Sequence, residues 1–338
     1  MIKESLAKLA RGEHLEESEM IAATKAIMEG RASPAQIGSF LTALRLKGET
    51  VAEITGAARV MREKAVKISF KAPTVIDTCG TGGDGAQTFN ISTTVAFIVA
   101  AAGIPVAKHG NRAISSRCGS ADVLEALGVK VDLSPEQVEV CLREAGVGFL
   151  FAPLFHQAMK HAAGPRKELG FRTVFNLLGP LTNPAAANCQ LVGVFAPELT
   201  EVVAQVLQRL GVARAVVVHG GDGLDELSLD GVNKATILRS GQMQTVHFQA
   251  TDLGLPSAPK TSLVGGGPAE NARITEAILR GTETGPRLNV VLLNAAAALL
   301  AADVVNDLKT GIALARDLVR EGKAYAKLEQ LRHVGRRA

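Results

Sequence analysis

From Val75 to His219 short apolar runs alternate with helix-like ones, and this alternation constrains the fold more than any other feature of the sequence. The apolar runs are Val75-Ile76, Ile104 to Ala107, Val147 to Phe151, Leu191 to Phe195 and Ala215 to His219. Helix patterns follow Ser92, Ser120 and Ser134, and another runs from Glu198 to Leu210. Strands joined by helical crossovers predict a mostly parallel sheet. The residues before this region read as helices only. Ser33-Pro34-Ala35-Gln36 is a capping box, followed by Ile37, Phe40, Leu41 and Leu44 on one face. Thr50-Val51-Ala52-Glu53 repeats the device after Gly48, which ends the preceding helix. Helices this short need partners, so they predict a small helical subdomain.

The expected fold class is therefore α/β: a small all-helical domain, residues 1–70, and a larger α/β domain, residues 71–338, with a mostly parallel central sheet. Lys71-Ala72-Pro73 reads as the linker. The stretch 155–185 breaks the strand rhythm and is expected to return to the helical domain as a second crossing. Two weaker strands, Ala235 to Leu238 and Gln244 to Phe248, a glycine turn at Gly265 to Gly267, and helices from Ala269 to Val334 complete the chain.

Composition removes several function classes. Aromatic residues make up 4% of the 338 residues, with no Trp and one Tyr, which argues against a base-stacking nucleic-acid surface. The 37 basic and 33 acidic residues are spread along the chain, so the net charge of +4 marks no nucleic-acid groove. Cys79, Cys118, Cys141 and Cys189 are widely spaced without a C-x-x-C pair, which predicts reduced thiols rather than a zinc site or disulfides. The apolar segments Val95 to Ala107 and Leu288 to Ala302 fall short of the ~18 residues of a membrane span. The charged N-terminus lacks the apolar core of a signal peptide, and a cytoplasmic protein with no membrane partner is expected.

Chemistry concentrates between Asp77 and Ser120. Gly80-Thr81-Gly82-Gly83-Asp84-Gly85 fails the dinucleotide-binding spacing because Gly85 sits two after Gly83, and no Gly-Lys-Ser/Thr follows to make a P-loop. Its glycines still let backbone N–H groups approach phosphate oxygens, although a plain tight turn reads the same way. The hydroxyls at Ser92, Thr93 and Thr94, after Asn90 and Ile91, exceed what an N-cap needs and suit an anion or a metal. Lys108-His109-Gly110-Asn111-Arg112 brings cations to the same sheet edge, where ligands of open parallel sheets bind. Adjacent carboxylates at Asp225-Glu226, with Asp222 a weaker third, suit Mg²⁺ or a plain acidic surface loop.

Taken in order and spacing, GTGGD, NIST, KHGNRxxSSxxGSADVLEALG, RKELGFRTVFNLLGPLTNP and GxDE resemble the anthranilate phosphoribosyltransferase family of tryptophan biosynthesis. The resemblance implies a fold shared with nucleoside phosphorylases and a homodimer formed through the helical domain. The reaction it implies is transfer of the phosphoribosyl group of 5-phosphoribosyl 1-diphosphate to the amine of anthranilate. It further implies that Gly80, Gly83, Asp84, Thr88, Asn90, Ile91, Ser92, Thr93, Lys108, Gly110 and Ser120 bind the donor, and that Asn111, Arg112, Ala113, Ile114, Ser115 and Ser116 close over it. Ser92, Asp225 and Glu226 would hold a pair of Mg²⁺ ions. Anthranilate would meet Gly80, Asn111 and Arg166, with His109, His156 and Pro180 lining its channel; Lys108, His109, Asn111 and Arg166 form the implied catalytic set. Gly164-Pro165 stands where the family often has Pro-Val. Each residue also has a structural reading: Arg166 as one of a solvated basic run with Lys160 and Lys167, the two histidines as packed core groups, and Ser120 as an N-cap. The rival functions are a pyrimidine nucleoside phosphorylase and a non-catalytic relative that binds nucleic acid.

Overall fold

The protein was analysed as a computed structural model that describes residues 2–113 and 116–337. Four helices come first: α1 (Ile2–Leu9), α2 (Glu17–Met28), α3 (Pro34–Lys47) and α4 (Val51–Lys64). In the box that starts α3, Ser33 Oγ accepts from Gln36 N at 3.3 Å and Gln36 returns a bond to Ser33 N at 2.9 Å. Thr50 and Glu53 do the same for α4. The sheet region follows as β1 (Ile76–Gly80), α5 (Ile91–Ala101), β2 (Val106–Gly110), α6 (Ser120–Ala126), α7 (Pro135–Glu144) and β3 (Val147–Phe151). Next come α8 (Ala152–Phe155), α9 (Lys160–Leu169), α10 (Val174–Leu181), β4 (Cys189–Gly193), α11 (Leu199–Arg209) and β5 (Arg214–His219). The chain ends with β6 (Asn233–Arg239), β7 (Gln242–Phe248), α12 (Pro268–Leu279), α13 (Pro286–Ala301), α14 (Leu308–Arg320) and α15 (Lys323–Arg337).

The sheet has seven strands in the order β3-β2-β1-β4-β5-β6-β7, parallel from β3 through β5 and antiparallel at β6 and β7. Alternation along the strands assigns its faces. In β5, Val216 and Val218 join the core beneath α5 and α13, whereas Ala215 and Val217 join a second core with α11 and the N-terminal helices. That second core is continuous with Ile37, Phe40, Leu41 and Leu44 of α3, and α9 and α10 pack onto α2, α3 and α4. Among the described residues no helix is long and apolar enough to cross a membrane.

Strand ends differ from expectation: β4 stops at Gly193, short of the expected Phe195, while β1 and β2 run further than expected. Gly80 closes β1 and Lys108-His109-Gly110 close β2, where the sequence suggested loops, because parallel pairing continues to Gly80 against Gly193 and Gly110 against Phe151. A neighbouring strand at the right distance outweighs the weak strand propensity of glycine and lysine.

Arg62 is one of the side chains that tie the helical layer to the sheet layer. Arg62 of α4 donates to the carbonyls of Leu181, the last residue of α10, at 2.7 Å and of Leu210, just past α11, at 3.1 Å. A cation at helix C-termini satisfies carbonyls that lack partners within the helix. Burial lowers the Arg62 pKa to about 10, which leaves the guanidinium charged at neutral pH. Replacing Arg62 by Met, which keeps much of the stem, is expected to cost about 2 kcal/mol in a denaturant titration; an unchanged midpoint would remove this role.

Candidate active site

The strand order fixes where a crevice opens. The chain winds outward from β1 through β2 to β3, then restarts with β4 on the other side of β1, so the switch point lies between β1 and β4. Ligands of open α/β sheets bind beyond the strand ends at that place. There the paired end residues are both glycines, Gly80 and Gly193. A Cβ on Gly80 would lie 2.2 Å from Asp225 Oδ2, and one on Gly193 would lie 1.6 Å from the Asp225 carbonyl oxygen. Both strands must end in glycine for the loop after β5 to lie across them. Gly82, Gly83 and Gly85 then turn the chain with φ of 69°, 81° and 72°, a region that L side chains disfavour, and the Gly82 amide donates to Asp225 Oδ2 at 2.6 Å.

The acidic loop is held from beneath. Buried Asn294 of α13 grips both polar atoms of Leu227: the Leu227 amide donates to Asn294 Oδ1, and Asn294 Nδ2 donates to the Leu227 carbonyl, each at 2.9 Å. Asn233 repeats the arrangement on Ser228 at 2.7 and 2.9 Å. Glu226 Oε1 accepts from the Ser92 amide at 3.1 Å at the start of α5, and Lys108 Nζ donates to Ser92 Oγ at 3.3 Å and to the Thr78 carbonyl. Burial pushes Glu226 up to about 7 against the pull of Lys108 and Ser92. Burial also raises Asp225, reinforced by the charges of Asp84 and Glu226. Neighbouring acids whose ionisation is this costly suit a divalent cation that takes one or two carboxylates and completes its shell with water and phosphate oxygens. Among the described residues there is no cluster of three or more His, Cys, Asp or Glu able to enclose a metal by themselves.

The opposite wall comes from the 155–184 stretch. Arg166 of α9 lies half-buried with its guanidinium 5.1 Å from the Phe175 ring centroid and no acidic partner among the described residues, and burial lowers its pKa. The rings of His109 and His156 sit 4.9 Å apart at 60°. A carbonyl only accepts, so His109 Nδ1–H donates to the Gly179 carbonyl at 3.0 Å, leaving Nε2 as an acceptor. Both Nε2 atoms are buried and have no partner among the described residues. Burial lowers both pKa values, that of His156 to about 3, so at neutral pH both rings are uncharged. Pro180 is buried beside them, its carbonyl accepting from Gln190 Nε2 at 2.7 Å.

The remaining expected residues line the rim or support it. Thr88 forms a bridge with Val264, and the Gly265 amide donates to the Gln87 carbonyl at 3.0 Å, so the glycine turn noted in the sequence backs the loop. Asn90 accepts from Asn271 Nδ2 at 3.0 Å and donates to the Cys118 carbonyl at 3.2 Å. Ile91 and Thr93 are buried in α5. The Asp84 carboxylate accepts from the Ala86 and Asp225 amides at 3.1 and 3.4 Å. Ser120 is the first residue of α6, not its N-cap, which is Gly119; its hydroxyl donates to the Asn111 carbonyl at 3.2 Å, and a Cβ on Gly110 would meet it at 2.2 Å. Arg112 is engaged by Glu125 and Asp122, Ala113 N donates to Asp122 at 2.9 Å, and Ser116 Oγ reaches the Cys118 carbonyl at 3.5 Å. Ile114 and Ser115 lie outside the described residues.

Sequence reasoning missed several supports. Buried Asp77 accepts from the His109 amide at 3.1 Å and from Asn183 Nδ2 at 2.7 Å, which pins β1, β2 and the second crossing together. Asn183 and Asn294 each stand as a single amide in an apolar setting, a pattern that signals a buried polar clamp. Gly193 carried no signal of its own.

Residues 72–325 match the model of a glycosyl transferase family α/β domain, and residues 3–65 match that of the helical bundle domain of a glycosyl transferase family. Anthranilate phosphoribosyltransferase of Moorella thermoacetica is 59% identical over 331 residues, 98% of this chain and 97% of the relative. The crystal structure of the Thermus thermophilus enzyme of that name superposes with a TM-score of 0.92 at 46% identity, covering 98% of this chain and 99% of the other. The Saccharomyces cerevisiae enzyme of that name, in complex with PRPP and Mg, superposes with a TM-score of 0.91 at 28% identity, covering 100% and 98%.

Two outcomes follow from the acid pocket. Glu226 binds a proton more tightly in the folded than in the unfolded chain, so the metal-free protein loses stability as pH rises from its ordinary 4.5 through about 7. Wild type is expected to lose more stability than Glu226→Gln over this window in chelator-treated denaturation experiments; parallel pH profiles would refute the shift. Gly193→Ala must displace the Asp225 backbone, and kcat/KM is expected to drop on the order of 100-fold while the far-ultraviolet spectrum stays native.

Proposed function

The chain belongs to the anthranilate phosphoribosyltransferases, which transfer the phosphoribosyl group of 5-phosphoribosyl 1-diphosphate to the amine of anthranilate, and from that premise we propose how its residues divide the work. The relatives do not favour the phosphorylase or the nucleic-acid-binding reading. The observation that carries the proposal is the buried Asp225-Glu226 pair lying across paired glycines at the switch point, bonded to the glycine loop and to the start of α5.

The donor lies along Gly80, Gly83 and Asp84, with Thr88, Asn90, Ser92, Thr93, Lys108 and Ser120 around it and the segment from Asn111 to Ser116 closing over it. Asp225 and Glu226, with Ser92, would hold a pair of Mg²⁺ ions; the yeast enzyme in complex with PRPP and Mg supports the metal's identity. Bound there, the metal neutralises negative charge on the departing diphosphate. Lys108 fixes Ser92 and counters the charge of Glu226, which keeps the acidic loop in place. Arg166, lacking an acid of its own, takes the anthranilate carboxylate in a bidentate fork and aims the amine at the anomeric carbon. The neutral His109 and His156 present their unpartnered Nε2 lone pairs to the acceptor's channel, together with Pro180.

The helical residues 1–70, joined by 155–185, act as one body against the rest of residues 71–338, and closure of the cleft between them excludes water from the donor. We also propose a homodimer through the helical body, supported by Leu46 on α3, which is 84% exposed, and a cytoplasmic setting, supported by four free, buried cysteines.

The test is the loss of anthranilate fluorescence on mixing enzyme, donor and Mg²⁺. Turnover is expected only with all three, and none with all three would sink the proposal. Arg166→Ala is expected to raise KM for anthranilate roughly 10- to 100-fold with KM for the donor unchanged, whereas Asp225→Asn should lose about 100-fold or more in kcat/KM.

A further inference from the structure

We propose that Arg172 is a positioning residue that clamps the diphosphate of the donor from the wall opposite the glycine loop, an inference that rests on the donor-site reading above. Arg172 lies in the short connection between α9 and α10, both packed against the N-terminal helices, so its backbone belongs to the helical wall. Its side chain nevertheless reaches the sheet wall. The guanidinium carbon stands 4.3 Å from the centroid of the Phe195 ring, two residues beyond β4, and Nε lies 3.4 Å from where a Cβ on Gly83 would be. Arg172 therefore spans the mouth of the crevice between the ends of β1 and β4.

Its bonding sets it apart from Arg112 at the rim, and its exposure sets it apart from the half-buried Arg166. Arg112 is engaged by Asp122 and Glu125, but Arg172 is exposed and has neither ion pair nor side-chain hydrogen bond among the described residues. Its guanidinium rests on the Phe195 ring beside the open Cβ position of Gly83. Stacking holds a guanidinium by its face and leaves its N–H donors available at the edge, and at an exposed site it is worth only about 0.5–1 kcal/mol. Such a group is aimed without being committed, and its planar fork matches phosphoryl oxygens.

Position selects which end of the donor it meets. Gly83 follows Gly82, whose amide is bonded to Asp225, so the group within reach of Arg172 is the one nearest the acidic pair. That is the diphosphate, not the 5-phosphate. Because the cation comes from the helical wall and the amides from the sheet wall, bound diphosphate joins the two walls across the crevice.

Steady-state kinetics on Arg172→Ala and Arg172→Lys, with inorganic pyrophosphate and ribose 5-phosphate as inhibitors, test this. In Arg172→Ala, KM for the donor and the inhibition constant of pyrophosphate should each rise about tenfold, equivalent to about 1.4 kcal/mol. The inhibition constant of ribose 5-phosphate, KM for anthranilate and the melting temperature should stay at wild-type values, and Arg172→Lys should recover part of the loss. A pyrophosphate constant within about twofold of wild type, or a shift in the ribose 5-phosphate constant instead, overturns the assignment. If wild type turns over and Asp225→Asn does not while Arg172→Ala behaves normally, only this inference fails. If wild type itself shows no turnover, the donor-site reading fails with it.

Discussion

The site depends on backbone packed against backbone. Asp225 lies over the ends of β1 and β4 because Gly80 and Gly193 leave nothing between the strand ends and the loop above them. This close approach puts the Asp225 carboxylate within reach of the Gly82 amide and brings Glu226 to the Ser92 amide. A carboxylate pair in so enclosed a place is costly unless a cation arrives, and burial accordingly raises both pKa values. The same geometry that makes two ionised carboxylates costly defines what suits them.

The two walls are built on different principles. The sheet wall is positioned by hydrogen bonds to backbone, with Asn294 and Asn233 holding the acidic loop and Asp77 with Asn183 holding the ends of β1 and β2. The helical wall presents side chains on aromatic rings: Arg166 over Phe175 and Arg172 over Phe195. Arg62 ties the layers together away from the crevice, at the ends of α10 and α11.

Features set by local chemistry were legible in the sequence. The capping boxes at Ser33, Thr50 and Ser134 and the strand Val147–Phe151 lie where their patterns place them, since each depends on residues within a few positions. The ends of β1 and β2 were not legible, because the extension to Gly80 and to Gly110 comes from strands that pair with them from far along the chain. The motif set led to the family, which its relatives bear out. Gly193 and Asp77 stayed hidden for one shared reason: each acts through a partner distant in sequence, and nothing in its immediate neighbours signals that partner; Asn294 signals a clamp but not what it holds.

The double amide clamp on the segment after β5 also governs how this protein can change over evolutionary time. Surface loops usually tolerate insertions, but Asn294 fixes Leu227 and Asn233 fixes Ser228, so the spacing from Asp225 to β6 is locked in register. A single inserted residue would shift one clamp or the acidic pair off its seat. Change is then channelled to the opposite wall, where side chains resting on rings can be exchanged one at a time while the geometry of the acidic pair is inherited whole.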